Sequence, residues 1–236
     1  IQKQLAIEIP TREEMAEIEY SSRFYETQSI LYMTISLVSG VTTAKPATTD
    51  VTFVLTRKLL SSIRYEELTA FQSFDSTYMR QPGLYQTTDM ILTSLVDAVV
   101  DRVADVLEKT QEQLDALSQE IFSEDNDGSS SYLKIRVKQL GKHNSLLAKL
   151  SNSLLSMDRM LIYSRQGARE WMTTQTQQLM KSIMSDIASL SEYQAKMSTE
   201  ITFLLDAIMG LINAEQNGII KVFSIAAVLF LPPTLV

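Results

Sequence analysis

The sequence predicts an α+β fold: a partial α/β/α domain, then a long antiparallel helical hairpin, then a very long stalk helix that enters a membrane. Up to about residue 86, short runs of β-branched and aromatic residues alternate with polar turns, as expected of strands. From Thr87 onward, apolar residues recur every three or four positions, which indicates helices. After Lys221 no charged residue remains, which is typical of a membrane segment.

Residues 1–86 form the predicted mixed domain, which we expect to be cytoplasmic. Thr11 and Glu14 have the spacing of a capping box, so a short helix begins there and is expected to end near Tyr20. A polar connection over residues 40–50 suits antiparallel strands. The other predicted elements are strands at residues 29–38, 51–56 and 59–65 and a short helix at residues 68–74. Because this is little sheet for a complete domain, we expect part of the domain to precede Ile1.

Residues 87–169 form the predicted hairpin of two long helices. Each arm carries one apolar seam with threes-and-fours spacing, and a polar turn with glycine over residues 123–131 reverses the chain. The seam of the first arm consists of Leu92, Val96, Val99, Val103, Val106, Thr110, Leu114, Leu117 and Ile121. The seam of the second arm consists of Leu133, Val137, Leu140, Asn144, Leu147, Leu150, Leu154, Met157 and Leu161.

The two arms differ in charge. Residues 97–127 contain ten acidic residues against Arg102 and Lys109, whereas residues 132–169 contain eight basic residues against Asp158. We expect the arms to attract along their flanks, each exposed pair contributing about 0.2–1 kcal/mol. The alternative is a solvated coiled-coil edge with no role in function.

Residues 170–221 form the predicted stalk helix, and residues 222–236 begin a transmembrane helix. Residues 171–231 contain no proline, so this helix reaches about 90 Å. Its seam has the coiled-coil spacing that packs helices side by side, and in a ring of identical subunits such seams would build a hollow stalk that continues into the membrane. That seam is Met197, Ile201, Leu204, Ile208 and Leu211. The uncharged run is shorter than the roughly 20 residues that cross a bilayer, so we expect the helix to continue beyond Val236.

Composition excludes several classes of function. A formal net charge of −7 argues against a general nucleic-acid binder, which needs a basic surface. The chain has no cysteine, which removes disulfides and thiolate metal sites and fits a reducing cytosol. His143 is the single histidine and is expected to lie on the surface. Because there is no phosphate-binding glycine loop and no Gly-x-Ser-x-Gly elbow, we expect no enzymatic activity.

One set of residues carries a family resemblance. It consists of Glu215-Gln216-Asn217, Ile219-Ile220-Lys221, Phe223-Ser224 and residues 230–236, with a weaker likeness that includes residues 11–19. In type and order, these residues resemble the start of the first transmembrane helix of CorA-type magnesium channels. The resemblance implies that a Gly-Met-Asn motif and a second transmembrane helix follow Val236.

The resemblance also implies partners, ion and location. The partners are identical subunits in a homopentamer and the lipid bilayer that holds the C-terminal helix, with no nucleic acid and no small-molecule substrate. Mg²⁺ is the implied transported and regulatory ion, with Co²⁺ or Ni²⁺ as alternative transported ions. The implied location is the bacterial inner (plasma) membrane, with most of this chain in the cytoplasm.

Asp206 and Asn217 are the first candidate site residues. They are eleven residues apart, about three helical turns, and therefore share one face. The resemblance implies that Asn217 closes the cytoplasmic end of a pore, in which case Asp206 forms a carboxylate ring that concentrates cations. An amide suits Mg²⁺, which loses water reluctantly. The alternative is a solvated aspartate on an exposed face.

Beyond Asn217, the resemblance implies four further pore-lining residues: Ile220, Phe223, Ser224 and Ala227. Apolar rings at Ile220 and Phe223 would narrow the path and gate it by dewetting. In an ordinary membrane anchor, the same residues would contact lipid or neighbouring helices. Pro232-Pro233 removes backbone donors within the membrane segment, so we expect a kink there.

Regulation is assigned to two carboxylates by the resemblance. Glu17 matches a family position on the first short helix that binds Mg²⁺ together with a stalk carboxylate of the next subunit, and Asp186 is the candidate for that second carboxylate. The alternative is that both are plain surface carboxylates. For the whole chain, the rival functions are a zinc-transporting relative of the same fold and a tail-anchored helical scaffold that moves no ion.

Overall fold

A four-stranded antiparallel sheet is the first part of the fold. The computed structural model describes residues 7–41, 45–123 and 129–230. Its strands pair in the order β1-β2-β3-β4; they are β1 (Phe24–Thr27), β2 (Ile30–Ser39), β3 (Ala47–Leu55) and β4 (Leu60–Arg64). Gln28 and Ser29, between β1 and β2, have φ values of 52° and 62°. Positive φ at two successive residues is what a tight two-residue hairpin needs.

The predicted strands are confirmed with shifted ends, and β1 is an addition. β3 begins at Ala47, inside the stretch predicted as a polar connection over residues 40–50, because Thr48 and Thr49 pair with β2 in register. Threonine is β-branched and suits a strand as well as a polar loop. Residues 42–44 of the connection lie outside the described residues.

Three short helices flank the sheet: α1 (Arg12–Met15), α2 (Tyr20–Arg23) and α3 (Thr69–Arg80). The predicted capping box is confirmed, since Thr11 N–H donates to Glu14 Oε2 at 2.7 Å and Glu14 N–H donates to Thr11 Oγ1 at 3.3 Å. The helix that it starts was predicted to run to about Tyr20, but it ends at Met15. A turn over residues 16–19 then separates it from α2.

After a 3₁₀ turn at Pro82–Leu84, three long helices follow: α4 (Thr88–Ile121), α5 (Ser130–Gly167) and α6 (Thr174–Phe230). They contain 34, 38 and 57 residues, which confirms the predicted hairpin arms and long last helix. The predictions for residues 1–6, for the turn residues 124–128 and for residues 231–236, with the Pro232-Pro233 kink, lie outside the described residues.

The chain divides into two compact units, and each long helix contributes to both. The first unit comprises residues 1–107 and 146–194, and the second comprises residues 108–145 and 195–236. In the first unit, the end of α5 lies directly on β2. A Cβ atom at Gly167 would come 2.5 Å from Leu31 Cδ2, so a larger residue there would force the buried Leu31 side chain to shift.

The predicted seams are largely confirmed by burial. All nine seam residues of the first arm are buried, and so are seven of the second arm. Val137 is half-buried, and Asn144 is exposed. The oppositely charged arms meet in the second unit, where Arg136 Nη2 lies 2.7 Å from Glu120 Oε2.

Candidate ion path and regulatory carboxylates

The predicted pore residues lie on an exposed face of α6. Asp206, Asn217, Ile220 and Ser224 are all exposed. At about 100° per residue, Asp206 and Ser224 each lie within about 20° of Asn217 around the helix axis, and Ile220 about 60° away. The helical rise places Asp206 about 16 Å from Asn217 along the axis. A polar stripe therefore runs along one face of the helix.

The opposite face of α6 is buried within the second unit of this chain. Met197, Ile201, Leu204 and Ile208 are at most 1% exposed, and Glu200 Oε2 accepts a hydrogen bond from Gln111 Nε2 on α4 at 3.1 Å. The predicted side-by-side packing of this seam occurs within the chain for these four residues, because they are buried inside the second unit. Leu211, the fifth seam residue, is 41% exposed. Because Asp206 lies opposite the buried seam, its carboxylate faces outward.

Phe223 and Ala227 differ in their placement on this helix. Phe223 lies about 120° from Asn217 around the axis, whereas Ala227 lies about 80° away. Phe223 is 72% exposed, so its ring is not buried by this chain. On a straight helix, Ser224 is closer to the stripe than Phe223. Its hydroxyl donates to Ile220 O at 2.8 Å, which satisfies its donor within the helix.

The C-terminal part of α6 has the character of a membrane segment. Among the described residues, α6 is the helix that is long and apolar enough to cross a membrane. Ile219, Val222, Ile225 and Val228 are 49–70% exposed, although a soluble helix of this composition would bury one apolar stripe. An apolar surface of this kind marks contact with lipid or with another protein.

Glu17 lies in the turn between α1 and α2 with its side chain exposed. It lines an open cavity of about 290 Å³ together with Glu8, Glu14, Tyr25 and other residues. Burial, the neighbouring Tyr32 and the charges of Glu8 and Glu14 raise the pKa of Tyr25 to about 12. The three carboxylates that line the cleft, Glu8, Glu14 and Glu17, favour a cation over an anion.

Asp186 lies on the α6 segment of the first unit and is exposed. Burial, and then the charges of Asp101 and Asp186, raise the pKa of the half-buried Asp97 carboxyl. The structure therefore brings Asp186 near the Asp97 carboxylate of α4, a proximity that sequence spacing did not predict. A cation near these groups would relieve their mutual repulsion. In the part of the chain that the structure describes, no three His, Cys, Asp or Glu residues are close enough together to hold a metal ion.

His143, which was expected to lie on the surface, is half-buried. Burial lowers the pKa of its imidazole, which favours the neutral form at neutral pH. Its surroundings in the second unit include Arg136, Lys142 and Glu120. The residue therefore lies between the hairpin arms.

Asp89 is a buried carboxylate that sequence analysis missed. It is 1% exposed, lies in the first turn of α4 and accepts a hydrogen bond from Thr173 N–H at 3.1 Å, just before α6 begins. Burial by itself would raise the pKa of Asp89, but hydrogen bonds from Thr87, Thr173 and Thr176 together lower it. The only sequence signal is an aspartate in a first helical turn, which is common on surfaces.

Solved structures establish the class of fold. The CorA magnesium transporter from Methanocaldococcus jannaschii superposes with a TM-score of 0.80 at 12% identity, covering 99% of this chain and 72% of that chain. The ZntB cytoplasmic domain from Vibrio parahaemolyticus superposes with a TM-score of 0.61 at 10% identity, covering 81% of this chain and 73% of that chain. The fold is therefore that of CorA-type transporter subunits, with a small antiparallel sheet and a long C-terminal helix.

The family follows from sequence. The family described as CorA-like Mg²⁺ transporter protein matches residues 1–236, and this chain belongs to it. The magnesium transport protein CorA of Yersinia pseudotuberculosis is 29% identical over 236 residues, which are 100% of this chain and 73% of the relative. The match over the whole chain confirms the resemblance to CorA-type channels. The family is one of transporters, not of enzymes.

Proposed function

We propose that this chain forms the cytoplasmic and pore-entry part of a Mg²⁺ channel of the bacterial inner membrane, built as a homopentamer of identical subunits. The observation that carries the proposal is the exposed polar stripe of Asp206, Asn217 and Ser224 on a helix that continues into an apolar, exposed segment. In this proposal, Ile220, Phe223 and Ala227 complete the path, and Co²⁺ or Ni²⁺ are alternative transported ions.

The proposal divides the chain by role. Residues 1–86 form the α/β cytoplasmic domain, residues 87–169 the helical hairpin, residues 170–221 the stalk and residues 222–236 the start of the transmembrane helix. Carboxylates at Asp206 would concentrate hydrated cations before the constriction, and the amide of Asn217 would contact the water shell that Mg²⁺ keeps. Both contacts must be weak, because an ion that is bound tightly would not leave the path.

Magnesium is favoured over zinc by sequence, because the matching family is described as CorA-like Mg²⁺ transporter protein and the 29% identical relative is a magnesium transport protein. The test is ion uptake by the complete protein reconstituted in lipid vesicles. We expect Mg²⁺ uptake that persists with Zn²⁺ present at micromolar concentration. Uptake of Zn²⁺ without Mg²⁺ would favour the zinc-transporting alternative, and uptake of neither would favour a scaffold.

Regulation by cytoplasmic Mg²⁺ is the second part of the proposal. One exposed carboxylate in an acidic cleft, at Glu17, supplies too few ligands for an all-protein Mg²⁺ site, but a second carboxylate from a neighbouring subunit would hold a hydrated ion between them. We propose Asp186 as that second carboxylate. Occupation of the site would stabilise the closed ring, which shifts the population of channels toward the closed state.

Glu17→Ala is expected to weaken protection of the complete protein by Mg²⁺ against proteolysis. The Mg²⁺ concentration that gives half-maximal protection should rise roughly tenfold, because the site loses one charged ligand. That change corresponds to a loss of about 1.4 kcal/mol in binding free energy. Protease digestion across a Mg²⁺ series measures it. Glu19→Ala, two residues away and also exposed, is the matched control. A Glu17→Ala curve that superposes on that of the parent would show that Glu17 is a plain surface carboxylate.

A further inference from the structure

All three guanidinium nitrogens of Arg23 donate hydrogen bonds within the first unit. Its Nη1 donates to the backbone carbonyl of Glu17 at 3.0 Å, and its Nε donates to the carbonyl of Thr34 on β2 at 3.2 Å. Its Nη2 donates to Ser36 Oγ at 2.9 Å and to Asp50 Oδ1 on β3 at 2.8 Å. The side chain is 14% exposed. Its bonds to Thr34, Ser36 and Asp50 are partly buried and contribute more than surface ion pairs do, whereas its bond to Glu17 is exposed.

The partners of Arg23 on the sheet are themselves fixed. Ser36 Oγ donates to Asp50 Oδ1 at 2.6 Å, so the carboxylate that holds Arg23 has a second donor. The backbone of Ser36 is bound to helix α5, because its N–H donates to Ser156 Oγ at 3.3 Å and its carbonyl accepts from Ser156 Oγ at 3.1 Å. Arg23 therefore connects the Glu17 turn to a strand that is attached to a long helix.

The turn over residues 16–19 needs this support. Its side chains are all exposed, including Ile18 at 92%, so apolar burial does not hold it in place. Its backbone contacts include a bond from Glu17 N–H to Glu14 O at 3.3 Å. The hydrogen bond from Arg23 Nη1 to the carbonyl of Glu17 therefore holds the backbone of the residue whose side chain is the proposed Mg²⁺ ligand.

We propose that Arg23 is the positioning residue of the regulatory site: it holds the Glu17 turn on the sheet so that the carboxylate is pre-organised for a cation shared with a neighbouring subunit. The proposal rests on the proposed role of Glu17. A ligand held in its bound geometry loses less conformational entropy when the ion binds. Only arginine provides this arrangement, because its planar fork reaches a carboxylate and three other acceptors simultaneously.

Arg23→Lys in the complete protein tests the proposal. Lysine keeps the positive charge beside Asp50 but cannot also reach Thr34 and Glu17. We expect the midpoint Mg²⁺ concentration for protection against proteolysis to rise about threefold to tenfold, with full protection at saturating Mg²⁺. Arg64→Lys is the matched control, because Arg64 is an exposed arginine of the same sheet that stacks on Phe71 at 4.6 Å. Its midpoint should equal that of the parent.

Two further measurements separate positioning from general stability. All protection curves are recorded well below the Tm of each variant, and Arg23→Lys is repeated in the Glu17→Ala background. If Arg23 acts through Glu17, the second substitution adds no further shift in the midpoint. If Glu17→Ala alone has no effect, the proposed regulatory role of Glu17 fails. If Glu17→Ala shifts the midpoint and Arg23→Lys does not, or if the two shifts add fully, the positioning role of Arg23 is overturned.

Discussion

Replacing Asp89 by alanine is expected to destabilise the first unit by about 2–3 kcal/mol, the range for a buried hydrogen bond to a charged group. The carboxylate accepts the N–H of Thr173 at 3.1 Å. It also lies in the first turn of α4 and next to the start of α6, where two helix dipoles favour a negative charge. Thermal unfolding should show a Tm lower by roughly 5–10 °C. Asp101→Ala, an exposed carboxylate on the same helix, should leave the Tm nearly unchanged.

The stabilisation that Asp89 provides is expected to fall as the pH is lowered. Because the folded pKa of Asp89 is lowered, its charge stabilises the protein fully above the unfolded pKa of about 3.9 and ceases to do so as pH falls through the folded pKa. Asp89→Asn should therefore be less stable than the parent at pH 7, with a difference that shrinks below about pH 4. A difference that stays constant from pH 7 to pH 3 would show that packing, not charge, explains the role of Asp89.

Replacing Asp206 by asparagine in the complete protein is expected to lower Mg²⁺ uptake at limiting external Mg²⁺ by roughly tenfold, the low end of what focused charge does to association rates. The substitution keeps the size of the side chain and removes the proposed ring of charge. Uptake at saturating Mg²⁺ should be closer to that of the parent, and assembly should be unchanged. Initial uptake rates across a Mg²⁺ series measure this.

Glu200→Gln is the matched control for Asp206. It changes a carboxylate on the same helix, about 120° around the axis, whose partner is Gln111 of the same chain at 3.1 Å. Its uptake curve should follow that of the parent. Equal uptake by Asp206→Asn and the parent at every Mg²⁺ concentration would contradict a role for this carboxylate in the ion path.

The helical part of the fold was predictable because it depends on periodicity. The seam of the first arm could be identified residue by residue, since a long amphipathic helix repeats its signal many times. β1 was missed because four residues carry little signal, and Gln28-Ser29 is not a usual pair for a hairpin turn with positive φ. The capping box was predictable because its two residues act on each other locally.

The site was only partly predictable, since several of its contacts join distant segments. Spacing along one helix was sufficient to place Asp206 and Asn217 on a common face. It could not show that Met197 to Ile208 pack within the chain, because a coiled-coil seam does not reveal its partner. Arg23, at the end of α2, meets Asp50 of β3 because that helix end packs on the sheet, and Asp89 meets Thr173 through the packing of two helices. Neither pair has a sequence signature.

The central claim is that the face of α6 with Asp206 and Asn217 lines the ion path, and cysteine accessibility tests it most directly. The chain contains no cysteine, so Asn217→Cys, Ser224→Cys and Ile219→Cys each introduce one thiol into it. Ile219 lies about 160° from Asn217 around the helix. In the complete transporter, a positively charged methanethiosulfonate should block Mg²⁺ uptake through Asn217→Cys and Ser224→Cys but not through Ile219→Cys. Block through Ile219→Cys alone would place the ion path on the opposite face and contradict the account.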